Sequence, residues 1–198
     1  MALAVVSELP SRSGMSVLPV LEHLLPHGVL PKGSVVSCQG AAAWSVAFSL
    51  IAAPSREGLW VGVAGASALG LAAAAERGVS LERVVSVVEP SSSPFGAARW
   101  ADLVAALIDG FDMVLLGPAL GCLRDHQVRR LQARAQHRGV VLVVVDLPSV
   151  ASDLRLSAEE GEWSGLGDGY GVAMHRTVQV ECSGRRAPRP RRSEVCLT

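Results

Sequence analysis

Several features that would announce a function are missing from this sequence. Its four cysteines, Cys38, Cys122, Cys182 and Cys196, lie far apart and form no Cys-x-x-Cys pair, which argues against a zinc ribbon or a disulfide framework and fits reduced thiols in a cytoplasm. Net charge is missing too. Eighteen lysines and arginines balance eighteen aspartates and glutamates, so no global field draws the molecule to nucleic acid or to an acidic membrane, and any basic surface must be local. The longest apolar stretches, 41–53 and 140–145, fall short of the roughly 20 residues that span a bilayer. The apolar start Met1 to Val6 is broken by Ser7 and Glu8 and has no basic region, so it does not read as a signal peptide. No repeat of fixed period is visible, and His23, His27, His126, His137 and His175 show no metal-ligand spacing.

What is present is core. A chain of 198 residues that is 49% hydrophobic can bury one sizeable domain. From Ser34 to Asp146 short β-branched runs alternate with longer alanine- and leucine-rich segments, the pattern of parallel strands joined by crossover helices. Strands are expected at Ser34–Cys38, Trp60–Ala64, Val84–Val88, Met113–Leu116 and Val140–Val145. Most are apolar at successive positions, as in a sheet covered on both faces. Helices are expected at Ala43–Ala52, Ala66–Arg77, Ala97–Ile108 and Leu123–His137, closed by Pro54, Gly78, Gly110 and Gly139, with a short helix at Val17–Leu25 before them.

Beyond Asp146 the texture turns polar, with Gly165, Gly167, Gly169 and Gly171 crowded together, and an alternating run from Thr177 to Glu181 predicts an antiparallel hairpin at the sheet's edge. The segment Gly184 to Arg192 holds five arginines and two prolines and is expected to be an extended or mobile loop. The organisation that follows is an N-terminal helical lead-in over 1–32, an α/β core over 33–150 and a C-terminal hairpin with its arginine-rich segment over 151–198.

At the first strand, Leu30-Pro31-Lys32-Gly33-Ser34-Val35-Val36-Ser37-Cys38-Gln39-Gly40 resembles the opening of the nucleotide-binding core of the RecA family. Ala64-Gly65-Ala66-Ser67-Ala68-Leu69-Gly70, with Ala74 to Val79 and Leu81-Glu82, is similar to that family's second strand and following helix. The resemblance covers Leu18 to Asp146. It implies a RecA-like three-layer α/β core with a mainly parallel sheet and helices on both faces, carrying the C-terminal antiparallel hairpin.

ATP chemistry on that core uses a loop Gly-x-x-x-x-Gly-Lys-Ser/Thr, whose backbone N–H groups wrap the phosphates while lysine neutralises charge and a hydroxyl holds magnesium. Here Gly40-Ala41-Ala42-Ala43-Trp44-Ser45 is too short for that loop. Ala43 stands at the lysine position and Trp44 at the hydroxyl position, leaving Ser45 as the nearest hydroxyl. The resemblance also puts Ala66 where a catalytic glutamate would orient water, and Gly117 where a metal-organising aspartate would close the strand after Leu116. Three losses at separate points predict a chain that does not hydrolyse ATP and carries no cofactor or metal, with binding of an unhydrolysed nucleotide left open.

More specifically, the Gly-Ala-Ala-Ala-Trp-Ser-Val-Ala stretch at 40–47, Gly-Val-Ser-Leu-Glu-Arg-Val-Val at 78–85, Ser-Asp-Leu-Arg-Leu-Ser at 152–157 and Glu162-Trp163 are similar to the actinobacterial ImuA-prime proteins. That resemblance implies a noncatalytic adaptor in inducible error-prone translesion DNA synthesis. Its implied partners are ImuB, a polymerase-like clamp-binding protein, and an error-prone replicative-type polymerase, in a cytoplasmic protein that joins the nucleoid during the damage response. The alternative is a DNA-binding modulator of RecA filaments.

Among individual residues, Arg185, Arg186, Arg189, Arg191 and Arg192 are candidates for DNA phosphates or an acidic patch on a partner, against the plainer reading of a solvated loop. Trp44 and Trp163 are candidate partner anchors, with core packing the stronger expectation for Trp44. The helix bearing Arg124, Arg129, Arg130, Arg134 and Arg138 reads as a solvated face with some prospect of touching nucleic acid. Asp112 and Asp146 are better read as turn or cap residues than as a carboxylate pair, and Cys38 as a buried thiol rather than a nucleophile.

Overall fold

The computed structural model describes residues 14–66, 69–159, 161–166 and 171–197, the side chains of 162–175 and 197 excepted. The expectations for Met1–Val6, for Gly167 and Gly169, and for the side chains of Trp163 and His175 therefore lie outside the described residues.

In chain order the elements are β1 (Gly14–Met15), α1 (Pro19–Glu22), β2 (Leu30–Pro31), β3 (Val35–Gln39), α2 (Ala43–Arg56), β4 (Val61–Ala64), α3 (Leu71–Glu76), β5 (Val84–Val87), α4 (Ala97–Gly110), β6 (Met113–Leu116), α5 (Asp125–Arg138), β7 (Val141–Val145), β8 (Leu154–Ala158), β9 (Glu162–Leu166), β10 (Gly171–Gly184) and β11 (Ala187–Leu197). Apart from the small pair β1–β2, the strands form one sheet in the order β11-β10-β8-β3-β7-β6-β4-β5, with β9 also on β10. The six strands from β8 to β5 are mutually parallel, and β10 runs antiparallel to β8, β9 and β11.

The all-apolar strands are buried on both faces, as their sequences require. One face packs α2 and α3 over a core that includes Val36, Cys38, Phe48, Leu50, Leu115 and Val143. The other packs α4 and α5 over Trp100, Val104, Ile108, Leu116, Leu131 and Leu142. The expected three-layer α/β arrangement with a C-terminal antiparallel hairpin is the observed one.

Three local readings change. Helix α2 runs on to Arg56 with Pro54 inside its last turn, where a missing N–H costs a single hydrogen bond and the final carbonyls are taken by Glu57 and Leu59. Helix α3 is shorter than expected and starts at Leu71, because Gly70 rather than Ala66 precedes its first turn. The segment Gly184 to Arg192 is extended as one of its two expected forms, but as strand rather than loop. Gly184 ends β10, Arg185 and Arg186 make the turn, and Ala187 to Arg192 open β11, where Pro188 and Pro190 are tolerated because the strand lies at the sheet's edge. A strand not anticipated, β8, alternates buried Leu154, Leu156 and Ala158 with Arg155 and Ser157, and it joins the hairpin to the parallel core.

Candidate functional site

The carboxyl ends of β3, β4 and β6 collect the three positions at which the sequence departs from ATP chemistry. After β3 the chain turns through Gly40, Ala41 and Ala42 and enters α2 at Ala43, whose N–H donates to the Gly40 carbonyl at 3.0 Å. Three residues cannot make the wide, N–H-lined concavity that wraps a phosphate. Gly40 has φ +94°, and a Cβ there would lie 2.2 Å from the Ala158 carbonyl oxygen, so the end of β8 presses against the turn. Ala42 and Ala43 are buried in the α2 core. Trp44 is half-buried, packs on the same core and stacks obliquely on Phe48 at 5.8 Å, so core packing takes much of it, while Ser45 is half-buried beside it.

Of the other two positions, Gly117 is closed by backbone. Gly117 donates its N–H to the Ala64 carbonyl at 2.8 Å, and a Cβ on Gly117 would sit 2.4 Å from the Gly65 carbonyl oxygen. No side chain of any kind fits there without moving β4 from β6. Ala66 packs half-buried against the α2 core and offers no carboxylate. The residues present do not fit a nucleotide triphosphate and its magnesium. Among the described residues no group of three histidine, cysteine, aspartate or glutamate side chains is placed to hold a metal ion.

Asp112 and Asp146 do not meet. Asp112 precedes β6, and its carboxylate accepts the Trp60 N–H at 2.9 Å, fixing the start of β4. Asp146 follows β7 at the far end of the sheet with φ +49°, a left-handed turn that aspartate tolerates, and its N–H donates to the Cys38 carbonyl at 3.0 Å. Burial, aided by Asp146, pushes the Cys38 thiol far up, which leaves it without thiolate character.

The amino ends of the strands are open instead. A cavity of about 530 Å³ lies between α5, the start of β3 and the β10–β11 turn, lined among others by Arg129, Gln132, Gln136, Asp153, Arg185 and Arg186. Asp153 organises it. Its carboxylate accepts the Val35 N–H at 2.9 Å and pairs with Arg185 at 2.7 Å and Arg186 at 3.8 Å. One carboxylate against three guanidinium groups leaves the cavity net positive. The sequence could not join Arg129 to Arg185, because the two are neighbours only through the sheet.

The five C-terminal arginines therefore part company. Arg185 and Arg186 face the cavity, and Arg189 is exposed on β11. Arg191 donates to the carbonyls of His23 at 3.2 Å and Leu25 at 3.0 Å and so fastens the end of α1 to β11. Arg192 pairs with Glu181, its cross-strand neighbour. On α5, Arg134 and Arg138 both hold Asp109 of α4, and the hydrogen bond from Arg134 does most to keep that carboxyl below the usual carboxylate range. His126 and His137 are exposed, as expected of a solvated helix face.

Among solved structures, a KaiC-like protein from the hyperthermophilic archaeon Pyrococcus horikoshii OT3 is similar, with a TM-score of 0.64 over 93% of this chain and 94% of that one at 11% identity. At that identity the likeness is one of fold, and it supports the RecA-like core. No helix among the described residues is long and apolar enough to cross a membrane. An uncharacterized protein of Mycobacterium tuberculosis is 31% identical over 163 residues, which are 81% of this chain but 65% of that relative's length. Residues 23–150 match the family described as the MT3502 N-terminal domain, and the chain belongs to that family.

Proposed function

We propose that this chain is a noncatalytic adaptor of an error-prone translesion synthesis complex, of the ImuA-prime kind, which binds ImuB and does not hydrolyse ATP. The observation that carries the noncatalytic part is the tight backbone at two of the three positions: Ala158 abuts the Gly40 turn and Gly65 abuts Gly117, so a side chain added at either glycine would meet backbone. A fold kept without its chemistry acts through its surfaces, and function then rests on partners. The motifs at 40–47, 78–85 and 152–157 supply the specific resemblance. Co-expression with tagged ImuB and the error-prone polymerase should retain this chain through a salt wash, and calorimetric titration with ATP and magnesium should give no binding heat. Folded protein that fails to associate with ImuB would sink the adaptor reading; measurable ATP turnover would sink the noncatalytic one.

A second reading, direct contact with DNA, is favoured by the arginine-lined cavity. Arg129, Arg185 and Arg186 converge there around the single carboxylate of Asp153, which leaves an excess of positive charge of the kind that phosphate-binding surfaces carry. Replacing the three with serine should weaken single-strand retention at low salt and flatten its salt dependence by about 2 to 3 units of slope. An unchanged titration removes this reading.

A further inference from the structure

The two edges of the sheet are built differently. Edge strand β11 carries Pro188, Arg189, Pro190, Arg191 and Arg192, and prolines and charged side chains keep an edge from pairing with another chain. The opposite edge, β5, reads Val84-Val85-Ser86-Val87 and continues into Val88, with no charge and no proline before Glu89 and Pro90. Its inner side pairs with β4, and its outer backbone groups have no partner among the described residues. The large hydrophobic side chains exposed among the described residues are Trp60, Leu71, Leu81, Val85 and Val88, all in the stretch that builds β4, α3 and β5. Val85 is 41% exposed and Val88 78%. Unpaired N–H and C=O groups flanked by exposed apolar side chains form a template for one more strand.

The sequence of this edge says which strand fits. It is self-complementary about Ser86. Antiparallel pairing with a second copy, two-fold axis through Ser86, sets Val84 opposite Val88, Val85 opposite Val87 and Arg83 opposite Glu89, each pair occurring twice. Residues directly opposite share a face of the sheet. Val87 packs on the α4 side and Val84 on the α2 side, so the helical layers of the two copies meet in register. Because the axis is normal to the sheet, the register can move only in steps of two. The neighbouring registers set Arg83 opposite Val87 or Ser91 and lose both ion pairs. Arg83 ends the 3₁₀ turn Leu81–Arg83 just before β5 and lies over the Trp60 ring at 5.0 Å, while Glu89 follows β5 and accepts the Phe95 N–H, so the two charges flank the strand at its two ends.

We propose that two copies of this chain associate through β5, joining their sheets into one continuous two-fold sheet centred on Ser86. Sedimentation equilibrium of the full chain from micromolar to millimolar concentration tests it. The mass should rise from 20.6 kDa toward twice that value. Val85→Lys and Val88→Lys, both at exposed positions and both checked for native circular dichroism, should hold it at 20.6 kDa. Arg83→Glu sets like charges opposite each other twice and should raise the dissociation constant about tenfold. Adding Glu89→Arg should recover most of that loss. A wild-type chain that stays monomeric throughout overturns the proposal, as does a dimer indifferent to Val85→Lys or a charge exchange that recovers nothing.

Discussion

At the carboxyl ends of β3, β4 and β6 the chain is packed until backbone meets backbone, whereas at the amino ends of β3 and β8 it leaves a cavity of about 530 Å³ ringed by arginines. In a RecA-like ATPase the carboxyl ends would be the open, polar side. The contrast teaches that the two ends of one sheet can be packed quite differently, with backbone close to backbone at Gly40 and Gly117 and space between side chains at the other end. An interior without a ligand is stable only when its voids are occupied and its backbone groups paired. Among the described residues, Arg129, Arg185, Arg186 and Asp153 gather at the opposite end of the strands.

The sharpest way to break the contrast is to put a side chain back where the closed end has none. Gly117→Asp restores the missing carboxylate on paper, yet its Cβ would meet the Gly65 carbonyl. Gly40→Ala meets the Ala158 carbonyl and also forces alanine to φ +94°. Each should lower unfolding free energy by about 3 kcal/mol or more in a urea titration, with no gain of ATPase activity. A variant as stable as the parent would mean that this end is looser than described.

At the open end the expected effects are smaller and of another kind. Asp153→Ala removes the acceptor of the Val35 N–H and the partner of two arginines, and should cost about 2 kcal/mol while strengthening retention on an anionic matrix. A loss of stability without that change in retention would make Asp153 a structural tie only.

Asp109→Asn should do least. The carboxyl's titration point is lowered in the folded chain, chiefly by the hydrogen bond from Arg134, so its contribution is complete above the ordinary aspartate value. It fades as pH falls through the lowered one. Thermal midpoints of parent and variant should therefore differ slightly at neutral pH and converge on acidification. A gap that persists in acid would point to packing rather than charge.

Much of this architecture could be read in advance, for identifiable reasons. The parallel strands are runs such as Val141 to Val145 and Met113 to Leu116, which only a sheet covered on both faces can bury. Helices α3 and α5 end at glycines whose positive φ is a local property, Gly78 and Gly139. That alanine, alanine and glycine stand at positions 43, 66 and 117 needed no structure either. Strand β11 was obscured because arginine and proline are poor strand formers, and only its place at the edge, with Arg191 fastened to the end of α1, lets them serve as one. The cavity was obscured because Arg129 and Arg185 are 56 positions apart and share a surface only through β3 and β8.

The sequence by itself determined which layers this protein folds into and which side chains stand at the ends of its strands, since both depend on residue type and on short-range periodicity. Only the tertiary structure decided that backbone closes on Gly40 and Gly117, that three arginines converge at the other end of the strands, and that β5 is left as an open apolar edge among the described residues. Each of those depends on which distant segments the sheet order brings side by side, and no local pattern encodes that order.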